Sequence, residues 1–321
     1  MEAILTNSVL SSLVILLVAV LLDAVWRWPV SYHPLTLMRL LARGMGKKVL
    51  PSRQDAPAQH YISGTLGAVV LIAPLVVLTA LLVYLAEYPV FFDAIIMIAV
   101  LDFSHERYRY RQVVNTVGKN KKALSRELVS AMVLRECDRL TDIGIAKAAI
   151  ESLVLKFYYL YGAVIFWFLV AGPIAALTYR LLLLLSWEWH PRRGGYRYFG
   201  MPVRKCVRLL NWIPCVLMAC VMLLVTDIVG AIKALKSAPV KDRTSLLLAA
   251  FGGGNGIRLG GPAYYQGQKY RYQRVGGPRE VRFSDMIYCK RAIIRAAILY
   301  VSLISLTLLV IGMLANQVAL P

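Results

Sequence analysis

The sequence predicts an all-α, polytopic integral membrane protein with cytoplasmic amphipathic helices and a long Gly/Tyr-rich loop. Three observations carry that prediction. Of the 321 residues, 59% are apolar and only 17% charged, with a mean hydropathy of +0.61; soluble domains run nearer half apolar and a quarter charged. All 37 Lys and Arg residues are absent from 1–26, 62–103, 157–179, 209–232 and 296–321. Those stretches have bilayer length, since ~20 apolar residues of helix cross ~30 Å of hydrocarbon. A net charge of +20 would otherwise point to nucleic acid. A nucleic-acid binder spreads its bases over soluble faces, whereas here they are gathered between apolar segments. The expected partner is therefore the lipid bilayer, with no nucleic acid.

The expected elements follow in order along a single membrane domain. A first span over 5–26 ends at Trp26 and Trp28, which suit an interfacial aromatic belt. It lacks a basic leader and a small-residue cleavage site, so it reads as a retained helix. The stretch 62–103 is too long for one crossing; Glu87-Tyr88-Pro89 divides it into spans over 64–86 and 89–103. In 104–156, Leu124, Leu128 and Met132 recur at helical spacing, as do Ile143, Ala146 and Ile150, which predicts amphipathic helices. A span over 157–179 contains Gly172-Pro173, a break or kink, and either stops there or continues as a hairpin to 187. The hairpin is preferred because it places all four basic stretches on the cytoplasmic side. Spans over 209–232 and 296–314 complete the set. Residues 252–285 hold nine glycines among interleaved tyrosines and bases. They show no apolar periodicity and read as an extended functional loop.

Individual residues narrow the chemistry. Five cysteines without a CxxC spacing fit a reduced, cytoplasm-facing protein. Four histidines show no ligand spacing, so no metal site is expected from them. There is no Walker A sequence and no GxSxG. The glycines of 252–262 suit either a phosphate cradle or a flexible loop. The tyrosines and bases of 264–274 suit an anionic ligand or an anionic lipid surface. Asp23, Asp93 and Asp227 lie in or near spans, where carboxylates are costly and usually functional or paired. Asp23 beside Trp26 is equally explained by snorkelling to the interface, and Asp93 by a helix start after Pro89.

Taken together, certain blocks resemble the adenosylcobinamide-phosphate synthase family (CbiB/CobD). They are Asp23-Ala24-Val25-Trp26 with Pro29, His33-Pro34 and Met38; Arg135; Ala149-Ile150-Glu151-Ser152; and Phe166-Trp167. Tyr179-Arg180, Tyr196–Gly200 and Asn211-Trp212-Ile213-Pro214 follow, and Leu259-Gly260-Gly261-Pro262 with Tyr264, Tyr265, Gly267 and Asp285 closes the series. The resemblance implies a multi-pass protein of the bacterial inner membrane, with its basic loops mostly cytoplasmic. It implies an ATP-dependent amide condensation of adenosylcobyric acid with aminopropanol or its phosphate, using ATP and Mg²⁺, with corrinoid and amino-alcohol phosphate as substrates. Under it, Glu151 and Asp285 are the catalytic candidates. Asp23, His33, Arg135, Ser152, Arg180, Asn211, Gly260, Gly261, Pro262, Tyr265 and Gly267 are the substrate-binding candidates, and Asp138 is a further acid of interest.

The chain also departs from the family pattern. Leu155, Lys156, Tyr159 and Leu160 stand where Glu-Asn and Asp-Gly are usual; Leu183, Leu184 and Ser186 replace Asn-Thr-x-Asp. Val207-Arg208 replaces an acid pair, Val216 an arginine, and 241–247 has no Ser-Pro-Asn-x-Gly. Carboxylates have become apolar or basic, which weakens a Mg²⁺ site built from oxygen ligands. The alternative is a non-catalytic relative that binds a ligand or acts as a membrane sensor, in the manner of the AmpE family. A transporter ranks last, because no internal repeat is visible.

Overall fold

The structure, a computed structural model, describes residues 8–238 and 242–318. Helix α1 (Ser8–Val25) carries no charge before Asp23 and rises about 27 Å; residues 5–7 of the expected first span lie outside the described residues. After a 3₁₀ turn at Val30–Tyr32, the ring Nδ1 of His33 accepts the Leu35 N–H at 3.2 Å and starts α2 (Pro34–Val49). Pro34 sits where a missing N–H costs nothing, and α3 (Pro57–Leu85) and α4 (Pro89–Val100) open on prolines in the same way. Next come α5 (Ser104–Gly118), α6 (Lys122–Ser130) and α7 (Asp142–Phe157), the last capped by Thr141 on the Gly144 N–H at 3.2 Å. A π-helical turn at Tyr158–Gly162 leads into α8 (Ala163–Glu188), whose helical backbone breaks at Ala171 and Gly172, the latter at φ 77°. Helices α9 (Tyr196–Phe199), α10 (Met201–Leu210), α11 (Trp212–Val225), α12 (Ile228–Lys236) and α13 (Arg243–Gly254) follow. Four short strands, β1 (Arg258–Gly260), β2 (Ala263–Tyr265), β3 (Gln268–Tyr270) and β4 (Arg274–Gly276), precede α14 (Phe283–Val318).

Among the described residues, four helical stretches are long and apolar enough to cross a membrane: Ser8–Val25, Pro57–Leu85, Asp142–Glu188 and Phe283–Ala315. The bent pair Tyr196–Leu210 and Trp212–Val225 makes a fifth if it acts as one span. The predicted all-α membrane fold is therefore present. On α3, Val69, Val70, Val77 and Leu78 are exposed, as apolar side chains facing acyl chains must be. Asp227, read from sequence as a carboxylate in or near a span, is the N-cap of α12. Its oxygens accept the Val229 and Gly230 N–H groups at 3.2 and 3.0 Å, so its charge rests at a helix N-terminus.

The chain packs as two compact units. One consists of the chain up to Asp102, Ala163–Trp212 and the chain from Ser305; the other of Phe103–Gly162 and Ile213–Ile304. In the first, α3 buries a stripe of His60, Gly64, Gly67, Ala68 and Ile72. A Cβ on Gly64 would run into the Phe199 carbonyl, and one on Gly67 would lie 3.6 Å from the Trp189 ring. Small residues thus let backbones meet where no side chain fits. Trp189 is fully buried and donates its indole N–H to the Ala42 carbonyl at 3.0 Å, which ties the end of α8 to α2.

In the second unit, α12 and α13 approach so closely that a Cβ on Gly253 would strike Ala234. Phe103, Phe157 and Tyr161 form an aromatic cluster with centroids 5.4–5.9 Å apart. The Tyr110 hydroxyl donates to the Met286 carbonyl at 2.8 Å, and Tyr300 to the Gly162 carbonyl at 3.1 Å. The Gly/Tyr-rich stretch 252–285 is more ordered than the extended loop expected of it. Gly252–Gly254 end α13, residues from Phe283 begin α14, and between them lie two antiparallel ladders. β1 pairs β4 with Leu259 opposite Val275, and β2 pairs β3 through a Gln266-Gly267 turn with both φ values positive, 50° and 74°, the type I′ signature. Strands of three residues are too short to show an alternating pattern, which is why the sequence reads as loop.

Gly64→Ala is expected to lower stability by about 1–3 kcal/mol through overpacking against Phe199. Gly44→Ala, where nothing lies within 4 Å, should leave stability unchanged or raise it by about 0.5–1 kcal/mol. Thermal unfolding in neutral detergent compares the two.

Candidate functional site

In the second unit, one carboxylate organises the Gly/Tyr segment. Glu151 lies on α7, most of whose residues are buried. Its Oε2 accepts from Arg135 Nη2 at 2.8 Å, and its Oε1 accepts the Gly260 N–H at 2.6 Å. The neighbouring Glu136 holds the other end. Its backbone N–H donates to the Tyr264 carbonyl at 2.9 Å, and its Oε1 accepts the Gly267 N–H at 2.5 Å. Gly260 and Gly261, at φ 73° and 101°, carry the chain between β1 and β2 in a conformation that only glycine adopts cheaply. A side chain at Gly261 would lie 3.6 Å from Arg274 Cγ and 3.8 Å from Lys147 Nζ.

Bases collect on this bare stretch of backbone. Lys147 stands one turn before Glu151 on α7, 3.9 Å from Glu280. Arg274 and Arg258 reach the same Glu280 at 3.3 and 3.8 Å. Arg135, Lys147, Arg258 and Arg274 against Glu151 and Glu280 leave an excess of two positive charges beside Gly260-Gly261. Such an arrangement can take an anion, with guanidinium forks matched to phosphate oxygens. Tyr265 meets Tyr270 and Tyr272 edge-on at 5.6 and 6.5 Å, so the strands carry a small aromatic platform.

The structure gathers nine of the expected residues into this unit: Arg135, Glu151, Ser152, Gly260, Gly261, Pro262, Tyr265, Gly267 and Asp285. Ser152 is buried and donates to the Met132 carbonyl at 3.2 Å. Asp285 is buried in a bidentate pair with Arg279 at 2.6 and 2.7 Å and accepts the Arg282 N–H at 2.7 Å. It fastens the exit of β4 to the first turn of α14. Pro262 and Asp138 are exposed. Asp23, His33, Arg180 and Asn211 belong to the other unit. There Asn211 Oδ1 accepts the Tyr179 hydroxyl at 2.9 Å, buried Arg180 lies 3.9 Å from Asp102, and Asp23 is buried on α1. Among the described residues no three His, Cys, Asp or Glu side chains group as metal ligands. Glu136, Lys147, Arg258 and Glu280 were missed from sequence, whereas Arg274 lies among the bases of 264–274 read there as suited to an anionic ligand. The four-residue spacing of Lys147 and Glu151 on one helix face was the available signal for the lysine.

Two histidines of the first unit are held neutral. Burial, then Arg180 and Arg39, pull His33 down to about 4; burial, then Arg204, Arg192 and Arg193, do the same to His190.

A sequence profile described as CobD/Cbib protein matches residues 16–314. The chain belongs to the CobD/Cbib protein family. Among curated relatives, the cobalamin biosynthesis protein CobD of Chromobacterium violaceum is 28% identical over 268 residues, covering 81% of this chain and 85% of its own. That of Stutzerimonas stutzeri is 27% identical over 261 residues, with 80% and 85% covered. The probable cobalamin biosynthesis protein CobD of Pyrococcus furiosus is 27% identical over 251 residues, with 77% and 86% covered. No solved structure matches the chain. Both ends of the family match fall in or near apolar helices, and the Gly260–Gly267 segment lies inside it.

Glu151→Ala leaves Arg135 without its carboxylate and the Gly260 N–H without its acceptor, and should cost about 3 kcal/mol. Hydrogen exchange should show protection lost across 258–270 first, while α3 stays protected. The histidines give a pH dependence of known sign. An unfolded histidine titrates near 6.5, so between roughly pH 6.5 and 4 the unfolded chain binds more protons than the folded one. The contribution of neutral His33 and His190 is present above that window and lost as pH falls through it. The melting temperature should fall on acidification, with a shallower slope in His33→Asn, which keeps a capping side chain.

Proposed function

We propose that this family member acts in cobalamin biosynthesis as a membrane-bound ligase of the bacterial inner membrane, its basic stretches in the cytoplasm. In this reading it joins a carboxyl group of adenosylcobyric acid to the amine of aminopropanol or its phosphate, driven by ATP. The names of its relatives support the pathway, and the family resemblance supports the reaction. The observation that carries the reading is the basic face at Gly260-Gly261. A phosphoryl group approaching Gly261 would meet Lys147 and Arg274 without a side chain in the way, and Arg258 beside them. The phosphates of ATP or of the amino-alcohol phosphate supply the matching charge.

In this assignment Glu151 is a positioning residue, since both its oxygens hold the protein to itself, and Asp285 holds the base of the same segment. Arg274, Arg258 and Lys147 bind phosphate, and the tyrosines of β2 and β3 offer planar contact to the larger substrate. Mg²⁺ carried on nucleotide phosphates needs only one or two protein carboxylates. Glu280, 40% exposed at its side chain, has room to take that part.

One observation favours a second reading. Glu151 and Asp285, the expected catalytic pair, have all four oxygens engaged by arginine or backbone. A relative that binds the ligand without turnover would look the same. Expression in a strain deleted for cobinamide synthesis and fed cobyric acid separates the two. Restored cobalamin-dependent growth supports the ligase; failure with verified membrane expression, together with retained binding of ATP or corrinoid by the purified protein, supports the binding relative. For an active enzyme, Arg258→Gln/Arg274→Gln should lower kcat/KM by about 100-fold, as loss of two charge-assisted contacts implies.

A further inference from the structure

In the first unit, a second basic cluster is built around a single acid. Glu188, at the C-terminal end of α8, is only 7% exposed at its side chain, and three arginines converge on it. Arg43 Nε meets its Oε2 at 2.9 Å, Arg193 Nη1 meets Oε2 at 2.8 Å, and Arg39 Nε reaches Oε1 at 3.5 Å. Arg193 Nη1 also lies 3.3 Å from the Glu188 carbonyl. One carboxylate neutralises one of the three guanidiniums, so the cluster keeps an excess of two positive charges. Its arginines are 35–52% exposed at their side chains, which leaves donors of each fork turned outward while the buried carboxylate fixes their positions.

Helix α2 supplies a setting for this charge that a soluble anion does not need. Its buried stripe is Leu35, Met38, Ala42 and Gly46. On another face Leu37, Leu40 and Leu41 are 50–63% exposed among the described residues. Arg39, Arg43 and Lys47 recur every four residues and form a row between the two apolar faces. A helix with one apolar face on the protein, another bare, and bases along the flank fits the plane of a membrane interface. Helix α10 repeats the pattern. Val203 and Val207 are buried, Leu209 is 73% exposed, and Lys205 sits over the Tyr61 ring at 5.3 Å, at the same end of α3 that receives α2 through Ser63 and the Val49 carbonyl.

We propose that Arg39, Arg43 and Arg193, held by Glu188, bind the phosphate of an anionic phospholipid whose acyl chains lie on Leu37, Leu40 and Leu41. The occupant is a lipid rather than a free phosphate because two of the three arginines share helix α2 with the exposed leucines. The lipid joins the protein at the end of the unit where both basic stretches, 27–61 and 180–208, collect around the start of α3.

The test titrates the purified full-length chain in neutral detergent with phosphatidylglycerol, phosphatidylcholine or glycerol 3-phosphate, reading the melting temperature, with native mass spectrometry counting retained lipids. Phosphatidylglycerol should raise the melting temperature and be retained; the other two should not. Arg39→Gln/Arg43→Gln should need about tenfold more phosphatidylglycerol for the same shift, as two bases near a headgroup imply. A charge-matched control, Lys119→Gln/Lys121→Gln in the other unit, should need no more than the native chain. Equal shifts with phosphatidylcholine, an equal effect of glycerol 3-phosphate, or an equal loss in the control pair would overturn the proposal. If the double arginine variant does not fold, the lipid counts on the native chain decide: preferential retention of phosphatidylglycerol sustains the assignment, and indifference between the two lipids refutes it.

Discussion

The Glu151 carboxylate is the interaction on which the candidate site depends. It accepts Arg135 on one oxygen and the Gly260 N–H on the other. In doing so it joins the segment before α7, α7 itself and the first strand of the Gly/Tyr segment. The strands are three residues long and the ladders have two strands each, far below what stands alone in water. They persist because they are tied down at Gly260 by Glu151, at Gly267 by Glu136 and at the start of α14 by Asp285 with Arg279. Those three fastenings turn a glycine-rich run into a fixed frame on which arginines and tyrosines can be displayed.

The same logic recurs because acids are scarce: 17 Asp and Glu stand against 37 Lys and Arg. Buried acids become hubs for bases. Glu106 takes Lys156 at 2.6 Å and Arg109 at 3.3 Å; Glu188 takes three arginines. Several departures from the family pattern gain a physical account in this way. Lys156, where a polar or acidic residue is usual, pairs with Glu106. Leu183 and Leu184, where Asn-Thr is usual, are fully or almost fully buried. Val216, where an arginine is usual, is exposed on the apolar helix α11. The residues that depart from the resembled pattern thus pack inside, lie exposed on an apolar helix or pair with a buried acid.

The membrane fold was legible because it rests on long-range statistics of composition: absent bases over whole spans, and prolines where helices begin. The break at Gly172 was legible from Gly-Pro, whereas the cap at Thr141 appears only in the structure. The site was legible only as residue types. Sequence located Arg135, Glu151 and Gly260 but gave no sign that they form one contact, since 109 positions separate Glu151 from Gly260. Glu280 carried no motif, and Arg274 was marked only as one base among those of 264–274; their meeting at 3.3 Å is visible only in the fold. Asp227 and Asp285 share a feature that the sequence does not display. An acid near an apolar stretch looks functional until its backbone partners are visible, and both prove to accept N–H groups at the start of a helix.

These observations bear on what chemistry the chain can support. Glu151 and Asp285 each accept a backbone N–H and a guanidinium, so the oxygens of both are committed to holding the protein to itself. Glu151 and Asp285 are therefore suited to holding shape, and proton transfer at the site would fall to a group with a freer side chain. Lys147 and Glu280 lie 3.9 Å apart, a loose separation. An incoming phosphate would compete with Glu280 for Lys147 and Arg274, releasing the glutamate at the moment the anion is seated. The absence of bases from the spans marked the chain as a membrane protein, and their concentration between the spans leaves an excess of positive charge beside Gly260-Gly261.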